Sequence, residues 1–421
     1  MKPKYTRKEV ECHADKDSKW LIIHNKVYDI TNFSKKHPGG AKVISHAAGE
    51  DATDAWTAFH DRKDLVTKYM NALYIGDVEP DTDKVNEDFR QLRTSVEAMG
   101  LFKANPLFYI AHIAHIVLMY FIGCWILYSY GIGWAPYLVS TCLFVTAQIQ
   151  AGWTQHDYGH LSVFTSNYAN HLAHKFTIGT LKGAASHWWN FRHFQHHAKP
   201  NVIKKDPDVS VPYVFLVGET MAKRWGQLKK GFMPYKWQTY YFHLLGPPVL
   251  LPVYFHIEVL YFIFKRRDWM DLLFTFSFFT WWFTALTPVM GAWSSFKLYM
   301  LVRFLESHWF TYVTQMSHIP MAVDNEQHRG WFQQQLATSA NVEPGLFNDW
   351  FTGHLNFQIE HHLFPTMPRH NLHKAAPLVQ SLCRRHNIEY VCNPLLTQFA
   401  NILRQLEKSG DIYYNAYWQT D

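Results

Sequence analysis

Apolar and polar positions are unevenly distributed along this chain. From 104 to 156 there is no Asp, Glu, Lys or Arg, and Gly131, Gly133 and Pro136 interrupt the run near its middle. About 20 apolar residues cross a bilayer as a helix, so the run predicts two membrane helices joined by a tight turn, at about 107–129 and 134–154. A second pair is predicted at about 239–264, with Glu258 as its only charge, and 272–294, with none; Lys265, Arg266, Arg267 and Asp268 separate them. Ahead of these runs, WLIIHNKVYDI (20–30) has the alternation of half-buried strands. An acidic connector, DVEPDTDKVNED (77–88), leads into a helix with Phe89, Leu92, Val96 and Met99 on one face and Gly100 as its stop. The chain thus divides into a compact domain at 1–80, a linker with an interfacial helix at 81–103, and a membrane part at 104–421.

Charge sets the expected orientation. Residues 155–236 hold eleven Lys or Arg and the N-terminal segment is also rich in them, which puts both in the cytosol under the positive-inside rule. Four spans then leave both termini cytosolic. Lys265 to Arg267 would lie in the lumenal turn, an exception outweighed by the larger excess opposite. Charged residues make up only 18% of the chain and apolar ones 48%, against about 25% charged in soluble domains, which argues against a plain soluble enzyme. A mean hydropathy of -0.20 is too polar for a chain mostly in lipid. The net charge of +6 is spread among 34 acids, so no nucleic-acid partner is expected; the bilayer and an anionic substrate fit it better. Five cysteines without a C-x-x-C pair suggest neither a disulfide framework nor a thiolate metal site. The segment MKPKYTRKEVECHADKD lacks the apolar core of a signal peptide. Histidine stands out, with 26 copies.

His37 is followed by Pro38, Gly39 and Gly40, a sharp turn that lets backbone approach something flat. With VYDITNF before it, AGEDAT after it and His60 further on, the segment resembles cytochrome b5 over residues 6–78. The resemblance implies a b-type haem with His37 and His60 as axial ligands. His24 and His46 compete for the second place, but His46 lies too near His37 in sequence to reach the opposite haem face. Two imidazoles leave iron no open position, so such a haem passes electrons.

Three histidine groups border the membrane runs. HDYGH places His156 and His160 four residues apart, on one helix face. WWNFRHFQHH supplies His193, His196 and His197, and NFQIEHHLFP supplies Gln358, His361 and His362 before Pro365 and Pro368 stop the helix. Imidazole-rich, carboxylate-poor ligation suits Fe, Zn or Cu, and a haem donor in the same chain favours iron because zinc has no use for electrons.

With GHLNFQIEHHLFPTMPRHN (353–371) and WWNFRHFQHHAKPN (188–201), the arrangement resembles a front-end fatty acyl-CoA desaturase with a fused cytochrome b5 domain, similar to animal delta-5 and delta-6 enzymes. The resemblance implies an α+β haem domain followed by an all-α, multi-pass desaturase domain with four transmembrane helices and a cytosolic helical cap holding the metal site. It implies two non-haem irons held by His156, His160, His193, His196, His197, His361 and His362, with His318 of TQMSHIP as an eighth ligand. Gln358 would bind directly, bind through water or orient its neighbours, and His354 would serve as a compensating ligand or support one from outside. Asp157 and Glu360 are expected to hydrogen-bond the outer nitrogens of ligand histidines.

The implied reaction uses O2 and electrons from the haem, which NADH feeds through cytochrome b5 reductase, to place a cis double bond between an existing one and the carboxyl end. The acyl tail would enter a tunnel between the spans, with Trp281, Trp282 and Phe283 as lining candidates against plain packing. Arg192, Lys199, Lys204 and Lys205 are candidates for the CoA phosphates, or ordinary positive-inside residues. Residence in the endoplasmic reticulum membrane and a homo-oligomer or a complex with elongases belong to the same expectation. Two alternatives stay open: a sphingoid long-chain-base desaturase of the same architecture, and a membrane haem electron-transfer protein.

Overall fold

A computed structural model describes residues 2–60 and 63–419. The N-terminal domain is built on a four-stranded sheet of β1 (Lys4–Tyr5), β2 (Trp20–Ile23), β3 (Lys26–Asp29) and β4 (Tyr74–Val78), in the order β1-β4-β3-β2. β2 and β3 pair antiparallel across His24 and Asn25, both at positive φ (50° and 59°). That is the backbone a two-residue hairpin requires for its twist to match the strands. Alternation along β2 sends Leu21 and Ile23 to a core with Tyr28, Ile30 and Met70, while Ile22 joins Val10, Val27 and Val78 on the opposite face. Short helices at Ala41–Ser45 and Thr53–Phe59 complete the wall that carries His37 and His60.

The linker helix, Lys84–Ala98, starts where the Asp83 carboxylate accepts from the Val85 N–H at 2.8 Å and ends before Gly100 at φ 72°. Its apolar face does not lie on a bilayer surface. Phe89 and Val96 are buried in the cap, with the Phe89 ring 5.2 Å from Phe332 and 5.8 Å from Phe364, while Met99 is 57% exposed.

Among the described residues three helices are long and apolar enough to cross a membrane: Pro106–Tyr130, Pro247–Arg266 and Trp269–Met290. Four were expected. The missing one, 134–154, is a long helix, Trp134–Gly159, but Ser140, Thr141, Gln148, Gln150, Thr154 and Gln155 lower its hydropathy. All six side chains are buried inside the bundle. The span expected at 239–264 begins only at Pro247, because Gly246 and two prolines break it from the Gln238–Leu245 helix. Trp269–Met290 ends at Gly291 (φ 77°), and an unexpected helix, Ala292–Gln315, turns back along the bundle. It carries Arg303 and Glu306, both buried; they pair with each other at 2.6 Å, and Glu306 also pairs with Lys182. The C-terminal helix, Leu395–Trp418, packs on Glu219–Gln227 at Gly226, where a Cβ would lie 2.6 Å from the Tyr413 carbonyl oxygen.

Candidate metal centre

Local geometry brings the three histidine groups together. His156 sits in the last turn of Trp134–Gly159 and His160 just beyond it. A Cβ on Gly159 would lie 2.3 Å from the Trp189 ring, so the bare backbone there lets this helix end meet Ser186–Ala198, which carries His193, His196 and His197. The third group is on a short helix, Gln358–Leu363, entered through Gly353 and His354 at φ 61° and 66°. A Cβ on Gly353 would come within 2.4 Å of Trp153.

Two clusters result. In the first, His156, His160, His193, His197 and His361 have ligand atoms within 4.8 Å of one another. Nε2 atoms follow one another at 2.8 Å (His160 to His193), 3.0 Å (His193 to His197) and 3.0 Å (His197 to His361). At metal–nitrogen lengths of about 2.0–2.1 Å, neighbouring ligand atoms on one ion sit about 3 Å apart, so this spacing fits a single ion. Burial, and then the neighbouring imidazoles, push His160, His193, His197 and His361 well below the usual histidine range. Neutral rings are what a metal needs.

The second cluster joins His196, His318 and His362. His196 Nε2 is 3.3 Å from His318 Nε2, the Gln358 amide is 2.9 Å from the same nitrogen, and the buried His362 Nε2 has no partner. A buried, unpaired lone pair beside two more nitrogens is a donor set open toward a cation. The Gln358 amide can turn to offer its oxygen instead.

The outer nitrogens of this cluster are held by residues that the sequence did not single out. Asp206 meets His196 Nδ1 at 2.8 Å, the Thr338 carbonyl meets His318 Nδ1 at 2.9 Å, and Gln335 Oε1 meets His362 Nδ1 at 2.9 Å. Burial opposes charge on His196, but Asp206 and Asp208 reverse it and raise that pKa. An acid shortly after the second histidine group, in KKDPDV, was the one legible signal among these.

The two acids named beforehand behave differently. Asp157 accepts from the Tyr109 hydroxyl at 2.7 Å and stands 3.8 Å from His156 Nδ1, beyond hydrogen-bond length. Glu360 touches no histidine nitrogen: it accepts from Asn341 and Tyr390 at 2.7 and 2.8 Å, and burial pushes it up to about 7. The reason is rotational, since consecutive residues on a helix face apart and His361 turns inward. His354 lies against Phe108, ring to ring at 5.7 Å, and belongs to neither cluster.

A cavity of about 490 Å³ passes both clusters, touching His156, His193, His196, His318 and Gln358. Its remaining wall is largely apolar, with Trp153, Ile178, Phe242, Leu250, Phe255 and Leu406. Trp281, Trp282 and Phe283 do not line it; Trp282 is fully buried in the membrane bundle's own core, with the other two packed beside it. Three of the four cations suggested for CoA are held by acids: Arg192 by Glu258 and Asp208 at 3.0 Å each, Lys199 by Glu50 and Glu326, and Lys205 by Glu326. Lys204 is exposed.

In the N-terminal domain the His37 and His60 rings stand edge-on to each other, with planes at 65° and centroids 6.1 Å apart. His60 Nδ1 meets the Trp56 carbonyl at 2.9 Å and His37 Nδ1 that of Gly40 at 3.3 Å, which leaves both Nε2 atoms for an ion between the rings. A Cβ on Gly39 would lie 2.8 Å from the His37 ring. His24 packs on Trp56 and His46 Nε2 is buried without a partner.

Residues 132–394 match the fatty acid desaturase family model, and residues 6–79 match that of the cytochrome b5-like heme/steroid binding domain. Among solved structures, the cytochrome b5 of Ostreococcus tauri virus 2 is 33% identical over a match covering 18% of this chain and 95% of that one, with a TM-score of 0.17.

Proposed function

The chain belongs to the fatty acid desaturase family and carries a cytochrome b5-like domain ahead of the desaturase part, and on that footing we propose that it is a front-end desaturase of polyunsaturated fatty acyl-CoA. Membership implies a di-iron centre, and the N-terminal domain implies a haem. The observation that carries the reading is one apolar cavity bordered by both histidine clusters. His156, His160, His193, His197 and His361 would hold one iron, and His196, His318 and His362 with Gln358 the other. His37 and His60 would hold the haem. The irons, with O2, supply the oxidising power that no side chain has.

The protein's own part is placement. Apolar walls seat an acyl chain and exclude water, while His156 and His193 of one cluster and His196, His318 and Gln358 of the other border the same cavity. Asp206, Gln335 and the Thr338 carbonyl hold three imidazoles by their outer nitrogens, which fixes ring orientation and leaves the inner lone pairs free. One double bond consumes O2, two electrons and two protons, together with two hydrogens of the chain, and yields two waters. A haem held by His37 and His60 would supply these electrons one at a time, with an NADH-dependent cytochrome b5 reductase as its proposed reductant.

One contact supports the proposed topology. Glu50 of the N-terminal domain meets Lys199 beside the second histidine group, so both lie on one side of the membrane, and Pro106–Tyr130 needs a returning partner. Trp134–Gly159 is that partner, its polar side chains turned into the bundle as membrane helices require. This supports four spans with the N-terminal domain and the second histidine group on one side; the positive-inside rule makes that side the cytosol, and residence in the endoplasmic reticulum membrane is part of the same proposal.

The test is expression in a yeast without polyunsaturated fatty acids, fed 18:2, 18:3, 20:2 and 20:3 acids separately, with new double bonds located by mass spectrometry. A bond between an existing one and the carboxyl end is expected. No new bond from any acid, with haem-loaded protein present, overturns the reading and points to sphingoid bases.

A further inference from the structure

We propose that the N-terminal domain delivers electrons from one fixed docked position, latched by a largely half-buried set of ion pairs around Glu50 and Glu326 with Lys199 buried at its centre, and that Phe59 and Phe194 form the contact through which each electron crosses. This rests on the assignment of His37 and His60 to a haem and of the first histidine cluster to iron.

The latch alternates in sign. Lys199 Nζ lies 2.5 Å from Glu50 and 3.1 Å from Glu326; Lys205 Nζ lies 2.8 Å from Glu326 and 3.2 Å from the His46 carbonyl; His328 Nδ1 lies 3.1 Å from Glu50. Glu50, Glu326 and His328 are spaced closely enough for a cation, but the two ammoniums already occupy the carboxylates, which makes the group an ionic joint. Burial alone would raise the Glu326 carboxyl, yet Lys199 and Lys205 bring it down to about 2. Lys199 is only 6% exposed, so this is no surface ion pair of negligible worth: removing one partner strands a buried charge. A second anchor fixes the angle, since Arg90 of the linker helix meets both oxygens of Asp54, at 2.9 and 3.0 Å.

Between these anchors the aromatic contact forms. Phe59, directly before His60, packs edge-on against Phe194 at 6.1 Å and Trp331 at 5.8 Å between centroids. Phe194 follows His193 in the chain, and its ring stands 6.0 Å from that of His160. Two rings in contact therefore bridge a haem-ligand residue and the first metal cluster. In each crossing the ferrous haem loses one electron and becomes ferric, and a ferric ion of the cluster gains it and becomes ferrous; the external NADH-dependent flavoprotein reductase restores the haem.

The experiment uses the full chain in nanodiscs. Zero-length carbodiimide coupling followed by peptide mass spectrometry should join Lys199 to Glu50, with Lys84 to Glu87, 2.9 Å apart in the linker helix, as an internal control. Stopped-flow absorbance then follows oxidation of pre-reduced haem after acyl-CoA and O2 are added. Glu50→Lys should slow that oxidation at least tenfold while haem content and its reduction by the reductase stay unchanged. Phe194→Leu should slow it severalfold with the Lys199–Glu50 coupling retained, and Phe194→Tyr should keep the original rate. A control coupling without the interdomain one, or wild-type oxidation rates in both Glu50→Lys and Phe194→Leu, overturns the proposal. Failure of the underlying assignment looks different, because wild-type haem would then not be oxidised in response to acyl-CoA and O2 at all.

Discussion

The two histidine clusters solve the same problem in opposite ways. The first has five imidazoles whose inner nitrogens crowd together, with His197 Nδ1 lacking any partner and Asp157 only nearby. The second has three imidazoles and an amide, and each ring is braced from outside by Asp206, Gln335 or a backbone carbonyl. Under the proposed assignment, number would hold the ion where ligands are many, and orientation where they are few. The first site should therefore tolerate loss of a brace, and the second should not.

The largest effect expected comes from removing a ligand. His197→Ala or His196→Ala should abolish desaturation, each with loss of one of the two non-haem irons, which is a third of the total iron by elemental analysis once the haem is counted. Retention of all iron in His196→Ala would break the assignment of the second cluster. Asp206→Asn should cost about 10–100-fold in activity and release iron from one site only. Gln335→Ala should cost about tenfold, since His362 Nδ1 loses its partner and the ring its fixed orientation. A graded chelator should strip iron in two phases, and Gln358→His, by adding an imidazole to the poorer site, should slow the first phase while changing activity by less than about tenfold. The smallest effect belongs to His354→Gln, expected within about threefold because the ring lies outside both clusters. A larger loss with loss of iron would return His354 to the ligand set.

The same contrast separates what could be read from the chain. Four of the five first-cluster residues come in pairs four apart, His156 with His160 and His193 with His197, while His361 comes from the third sequence group beside His362 of the second cluster. His318, by contrast, arrives alone after the Ala292–Gln315 helix, and only family resemblance singles it out. Glu360 looked like a support for its histidine neighbours, yet it faces Asn341 and Tyr390. A residue's neighbours in sequence and its neighbours across a helix differ by the turn angle. The linker helix shows a similar gap: its apolar face is plain in Phe89 and Val96, but periodicity does not say whether lipid or protein will cover it, and Phe332 and Phe364 do.

The sequence by itself determined the parts whose cause is local. Long uncharged runs make helices, apolar alternation over 20–30 makes strands, and histidine spacing puts candidate ligands on one face. Trp134–Gly159 marks the limit, because hydropathy averages around a helix while burial depends on which side faces the bundle. Only the tertiary structure decided how eight histidines divide into five and three, which side chains brace them, and where the N-terminal domain rests. Each of these depends on contacts between residues far apart in the chain, such as Lys199 with Glu50 or His361 with His197. Such contacts are selected by packing of whole elements, and no window of sequence contains both partners.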